Sequence, residues 1–206
     1  GYNKYKYGGI CMKKHAFIQE GIGFKDIGDY GIILESKPIL DKILELNYDF
    51  EIISSYHLDY DWYYLENKGK RIVFAVTQGA SMAVDLAERY IASGVKRVIR
   101  IGTTGALIPG LKLGNYVIPY ASIKDEGTSK FYIKLETPAI ADINFVNLIT
   151  KKFNSRNNEV YNGIVWSTDG RWKESDEAVM DRVKDGAIAT DMESSALFAF
   201  GIDKKV

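Results

Sequence analysis

The stretch Val95–Ala106, VKRVIRIGTTGA, constrains this chain more than any other. An apolar run, Val95–Ile99, has the length and β-branched content of a buried strand, and it is followed at once by Arg100, Gly102, Thr103, Thr104 and Gly105. Glycines let a backbone turn tightly and approach a ligand closely. The turn exposes N–H groups and the threonines add hydroxyls, a combination suited to an anion. Arg100 adds a planar cation matched to a multi-oxygen acceptor such as phosphate. A strand that ends in such a turn is the usual setting of a ligand site in an open α/β sheet. The plainer alternative is a tight strand exit carrying a surface arginine.

The rest of the chain supports the α/β expectation. Gly31–Leu34, Glu51–Ser55, Asp61–Leu65 and Arg71–Val76 have strand patterns, with a turn at Asn67–Gly69. Ile39, Leu40, Ile43, Leu44 and Leu46 follow Pro38 at helical spacing. A helix is predicted over Ala80–Ser93, with Met82, Leu86, Ala87, Tyr90 and Ile91 on one face and Gly94 at its end. Beyond the glycine turn, strands are predicted at Gly114–Pro119, Glu159–Trp166 and Ala187–Thr190. Helices are predicted after Asp142 (face Phe145, Leu148, Ile149, Lys152), over Glu174–Lys184 and over Asp191–Phe200. Short connections between alternating strands and helices predict a single α/β domain over residues 13–206. Its mixed central sheet is expected to be strongly twisted or barrel-like, with helices on both faces. Residues 1–12 are expected to form a weakly ordered arm.

Composition narrows the partners. The 206 residues carry 27 basic and 27 acidic side chains, so no excess of positive charge points to nucleic acid or an anionic membrane. No apolar run approaches the roughly 18–20 residues that cross a bilayer. Cys11 is the one cysteine, which precludes an intrachain disulfide and points to a reducing, cytoplasmic setting. With two histidines and one cysteine far apart, no metal-ligand spacing is present and no metal is expected.

Four segments, in order, resemble the nucleoside phosphorylase superfamily that includes uridine phosphorylase and hexameric purine nucleoside phosphorylase. They are Gly94–Ala106, Lys124–Ser129, Val165–Asp169 and Asp191–Ala196, within a similarity running from about residue 29 to 206. The middle two look most like the uridine branch. The resemblance implies phosphorolysis of a nucleoside, a uridine-like one favoured and a purine nucleoside the alternative, to free base and ribose 1-phosphate. Inorganic phosphate would be co-substrate, and no other cofactor is implied. It implies phosphate at Arg100, Gly102 and Thr103, and ribose at Thr104, Asp191, Met192, Glu193 and His15. The base would meet Thr104, Gly105, Ser167, Arg171 and Trp172. Arg100 and Glu193 would carry the catalysis. It also implies a homodimer or a hexamer built as a trimer of dimers, with His15 or His57 reaching a neighbouring site. Read without the resemblance, Asp191 is a helix cap, Glu193 a first-turn acid, Met192 a core residue and Trp172 a loop or core side chain.

The chain also departs from the family's pattern. The Gly-Asp-Pro…Arg phosphate loop is replaced by Leu34-Glu-Ser-Lys-Pro-Ile39, and a further glycine-rich stretch is reduced to Thr77-Gln-Gly-Ala-Ser81. No Gln and Arg two positions apart, the family's uracil-reading pair, occurs in Gly170–Glu177. Against the family's pattern, the 13–206 domain is expected to lack the last strand and helix. The altered phosphate loop leaves two further readings open: a nucleosidase that uses water, and a non-catalytic nucleoside-binding relative.

Overall fold

The computed structural model describes residues 27–46, 51–54 and 61–206. The N-terminal arm, Cys11, His15 and His57 lie outside the described residues. The chain is mixed α/β. The described residues divide into two compact units, one of those up to residue 76 together with 85–99 and the other of 77–84 and 100–206.

In the first unit, strands β1 (Tyr30–Leu34), β2 (Glu51–Ser54), β3 (Asp61–Asn67), β4 (Lys70–Val76) and β5 (Arg97–Ile101) form a sheet in the order β2-β3-β4-β1-β5. β1 and β4 run parallel, and the β2, β3, β4 meander is antiparallel. Helix α1 (Lys37–Leu44) begins with Pro38 in its first turn, where the missing N–H costs nothing. It places Leu40 against Leu34, Leu65 and Phe74 to build one apolar core. Helix α2 (Ala80–Ala92) buries Leu86, Ala87 and Tyr90 as its periodicity predicts, but Met82 is 42% exposed and Ala83 and Val84 are buried instead. The buried stripe of α2 therefore includes small side chains that a count of large apolar residues passes over. Tyr90 stands edge-on to Trp62 with ring centroids 5.1 Å apart, and its hydroxyl donates to the Ile32 carbonyl at 3.0 Å.

The second unit holds β6 (Gly105–Ala106), β8 (Ala121–Asp125), β9 (Ala139–Ile140), β11 (Ile164–Thr168) and β12 (Ala187–Asp191) in the order β6-β12-β11-β8-β9. β11 is central and parallel to both β8 and β12, while the outer β6 and β9 are antiparallel to their neighbours. β7 (Tyr116–Val117) and β10 (Val160–Tyr161) form a separate parallel pair. The predicted strand Glu159–Trp166 is thus two strands. Asn162-Gly163 interrupts it, with the Asn162 amide donating to the Ile118 carbonyl at 2.8 Å. The described strands make two five-stranded sheets and a two-stranded pair, not a closed barrel.

Helices α3 (Ile143–Asn154), α4 (Asp176–Lys184) and α5 (Ser194–Lys204) complete this unit. Asp142 caps α3 by accepting from the amides of Asn144 and Phe145, and Ser175 caps α4 through the amide of Ala178. On α3 the buried residue is Val146, and Leu148 is exposed. α5 packs on β8, β9 and β11 through Ala196, Ala199 and Phe200. Lys124 at the end of β8 donates to the carbonyls of Lys134, Leu135 and Thr137 at 2.8, 2.7 and 2.5 Å, which ties the 126–138 segment to the sheet. Among the described residues no helix is long and apolar enough to cross a membrane, and no three potential metal ligands cluster.

Candidate active site

Parallel strands deliver their carboxyl ends to one edge of a sheet, which is where a ligand meets loops rather than a packed face. The ends of β11 and β12 carry Ser167, Thr168, Asp169 and Asp191 to that edge, and the chain then turns into α5 through Met192 and Glu193. The helix predicted to start at Asp191 starts at Ser194 instead. Asp191 accepts from the Ser194 amide at 3.2 Å and from the Ser194 hydroxyl, so it acts as a cap just upstream of the helix.

The centre of the site is an ion pair. The Arg100 Nη2 lies 2.6 Å from Glu193 Oε2, and Nη1 lies 3.9 Å from Asp191 Oδ2. All three side chains are largely enclosed, at 13%, 2% and 5% exposure for Arg100, Glu193 and Asp191. The other Glu193 oxygen accepts from the Gly79 amide at 2.7 Å, and the Met192 amide reaches Oε2 at 3.3 Å. Gly79 has φ 87°, a left-handed conformation that a side chain disfavours. That backbone turn aims its N–H at the carboxylate. Asp191 Oδ1 also accepts from the Ser167 hydroxyl at 2.5 Å. One guanidinium therefore faces two carboxylates, leaving the trio with a formal charge of −1.

Beside this cluster an open cleft of about 300 Å³ is lined by Gln78, Gly79, Asp169, Arg171, Trp172 and Met192. That is the lower end of the range for small-molecule sites. Trp172 projects at 91% exposure with the Arg171 guanidinium 5.8 Å from its ring centroid. Asp169 also accepts from the Gly127 amide at 2.8 Å, which fixes one carboxylate oxygen at the cleft wall.

Of the residues predicted from sequence, the structure brings Arg100, Asp191 and Glu193 into contact and sets Met192, Arg171 and Trp172 on the cleft. Gly102, Thr103 and Thr104 form the exposed connection between β5 and β6. The Thr104 hydroxyl donates to the Thr190 carbonyl at 2.6 Å, and Gly105 pairs with Thr190 as part of β6. Ser167, expected at the base, is fully buried, does not line the cleft, and is hydrogen-bonded within the protein. Asp191, expected on ribose, has both oxygens engaged by Ser167, Ser194 and Arg100. Gln78, Gly79 and Asp169 line the cleft and were not singled out as contacts. For Gly79 the sequence signal is the glycine-containing Thr77–Ser81 stretch.

The family model described as the phosphorylase superfamily matches residues 29–201. A guanosine phosphorylase from Halorubrum lacusprofundi is 28% identical over 191 residues, 92% of this chain and 77% of that protein. A uridine phosphorylase from Thermococcus kodakarensis is 34% identical over 117 residues, covering 56% of this chain and 42% of its own length. The crystal structure of uridine phosphorylase from Vibrio fischeri superposes with a TM-score of 0.80 at 28% identity, over 89% of this chain and 78% of that one. With its parallel-strand edge, its buried Arg100–Glu193 pair and this match across most of its length, the chain belongs to the phosphorylase superfamily.

Proposed function

We propose that the protein is a nucleoside phosphorylase that converts a nucleoside, a uridine-like one first, and inorganic phosphate into free base and ribose 1-phosphate. The observation that carries this reading is the 2.6 Å Arg100–Glu193 pair at the edge of the Met192 cleft. It puts a cation for phosphate and a carboxylate for a diol within one contact of each other. In the reaction a phosphate oxygen forms a bond to C1′ as the glycosidic C–N bond breaks. The bonding pair leaves with the base nitrogen, which is then protonated. Positive charge gathers on the ribose in the transition state. Glu193 accepts from the ribose 2′- and 3′-hydroxyls and sets negative charge near that developing cation, an electrostatic contribution that needs no rearrangement. Arg100, with the Gly102–Thr103 turn, holds phosphate for in-line attack. Met192 packs on the apolar sugar face, and Arg171 with Trp172 covers the base. The assembly is a homo-oligomer in the cytoplasm, with His15 or His57 serving a neighbouring site.

One observation favours a second reading. Arg100 already faces Glu193 and Asp191, so a phosphate has to compete with two carboxylates for it. Water as acceptor would make the protein a nucleosidase on the same fold. Purified protein incubated with uridine, thymidine, inosine, guanosine and adenosine, with and without phosphate, separates the two. Base release only with phosphate supports the phosphorylase, and its pattern names the base. Equal release without phosphate refutes the first reading, and no release from any nucleoside refutes both.

A further inference from the structure

Ser167 is fully buried on the central strand β11, and its hydroxyl sits between three groups. It lies 2.5 Å from Asp191 Oδ1, 3.0 Å from the Ser195 amide and 2.9 Å from the Ser122 hydroxyl. A hydroxyl has one proton and two lone pairs. The carboxylate only accepts and the amide only donates, so the directions are forced. Ser167 donates to Asp191 and accepts from the Ser195 N–H and from Ser122. Every hydrogen-bonding position of Ser167 is then filled.

The two residues it grips flank the site. Asp191 precedes Met192–Glu193, and Ser195 follows it in the first turn of α5. Ser195 is held a second time, its hydroxyl donating to Glu126 at 2.8 Å. A single buried oxygen on the sheet thus clamps both ends of the segment that presents Glu193, and through Asp191 it also fixes a carboxylate facing Arg100. We propose that Ser167 is a positioning residue: it holds Asp191 and the start of α5 so that Arg100 and Glu193 keep their mutual geometry. It touches no substrate. The proposal rests on the reading of Arg100 and Glu193 as the phosphate- and ribose-binding pair, but its principal test does not need turnover.

That test is the arginine side-chain ¹⁵N–¹H spectrum of the full chain, with Arg100 assigned by its loss in Arg100→Lys. A guanidinium held between carboxylates rotates slowly about its Cζ–Nε bond and shows separate Nη signals. Ser167→Ala is expected to merge those of Arg100. It is also expected to lower kcat/KM by about tenfold to a hundredfold, the size of losing a hydrogen bond to a charged group. Ser122→Ala removes a buried hydroxyl of the same size that touches no carboxylate, and it is expected to leave the Arg100 signals separate. Ser167→Cys exchanges the hydroxyl for a slightly larger thiol that is only a weak donor, and its Arg100 signals are expected to broaden towards merging, which keeps the test available should the alanine variant fail to fold. Separate Arg100 signals in Ser167→Ala, a Ser167→Cys protein indistinguishable from the parent, or equal loss in Ser122→Ala would overturn the proposal. Absence of base release from the parent would overturn the proposed function alone, because the spectra still decide the positioning role.

Discussion

Replacing Arg100 with methionine removes the cation and keeps most of its apolar stem. What remains is Glu193 at 2% exposure and Asp191 at 5%, two enclosed carboxylates without their shared counter-charge. Removing one partner of a buried pair costs about 3–5 kcal/mol, most of it the penalty of the charge left behind. For a protein of this length about 2–4 °C of Tm is lost per kcal/mol, so a fall of roughly 6–20 °C is expected. The second variant is Glu193→Gln, which keeps an acceptor for the Gly79 amide but removes the charge. Combined with Arg100→Met, it removes the cation and the more deeply enclosed of the two carboxylate charges, leaving Asp191. The double variant is therefore expected to be more stable than Arg100→Met alone, recovering at least half of the loss. Urea unfolding of the parent, both single variants and the double variant, followed by circular dichroism, gives the interaction energy of the cycle. Additive effects, or an Arg100→Met cost below about 1 kcal/mol, would refute a tightly coupled buried pair.

Three other perturbations test the scaffold. A Cβ at Gly31 would lie 2.4 Å from the buried Tyr90 ring, so Gly31→Ala is expected to cost about 1–3 kcal/mol in chemical unfolding, and an unchanged midpoint would show that the ring is not packed there. Lys124→Met leaves three carbonyls without their ammonium, and amides of residues 126–138 are expected to exchange with deuterium about tenfold to a hundredfold faster while those of β1 and β4 do not change. The amide of Arg71, donating at 3.1 Å, holds the Asp29 carboxyl below its ordinary value of 3.8, with the Arg71 charge adding to this. That stability is present above pH 3.8 and is lost as pH falls through the lowered value, so Asp29→Asn should flatten the acid limb of the stability curve below about pH 4. An unchanged acid limb would remove Asp29 from that account.

The parts of the fold legible in the sequence are those fixed by local chemistry. Pro38 opens α1, Asp142 and the Gly94 turn mark helix ends, and a strand leads into the glycine turn, though β5 runs over Arg97–Ile101 with no buried residue and not over Val95–Ile99 as a buried strand. The missed parts are set by partners distant in sequence. β6 and β9 are two residues long and exist because β12 and β8 offer them ladder positions, which no periodicity encodes. Met82 and Leu148 have the spacing of core residues, yet Ala83, Val84 and Val146 take the buried positions. Helical spacing fixes a face to within one residue's rotation, and neighbouring elements decide the rest.

The same limit governs the site. Arg100 and Glu193 stand out in separate motifs 93 positions apart, and in sequence each takes a separate ligand: phosphate for the arginine, ribose for the glutamate. In the folded chain they are each other's nearest charged partner. Under the proposed function, a phosphate that recruits Arg100 would loosen its hold on Glu193, and a ribose diol on Glu193 would weaken its hold on Arg100. Each ligand thereby removes an obstacle to the other. The coupling is reciprocal by thermodynamic necessity, so whatever phosphate contributes to nucleoside affinity the nucleoside returns to phosphate. Under the proposed function Asp191, 3.9 Å from Arg100, would compete with phosphate for the same guanidinium. Its own orientation is fixed from the sheet by Ser167, a residue whose letter in the sequence carries no mark of that role.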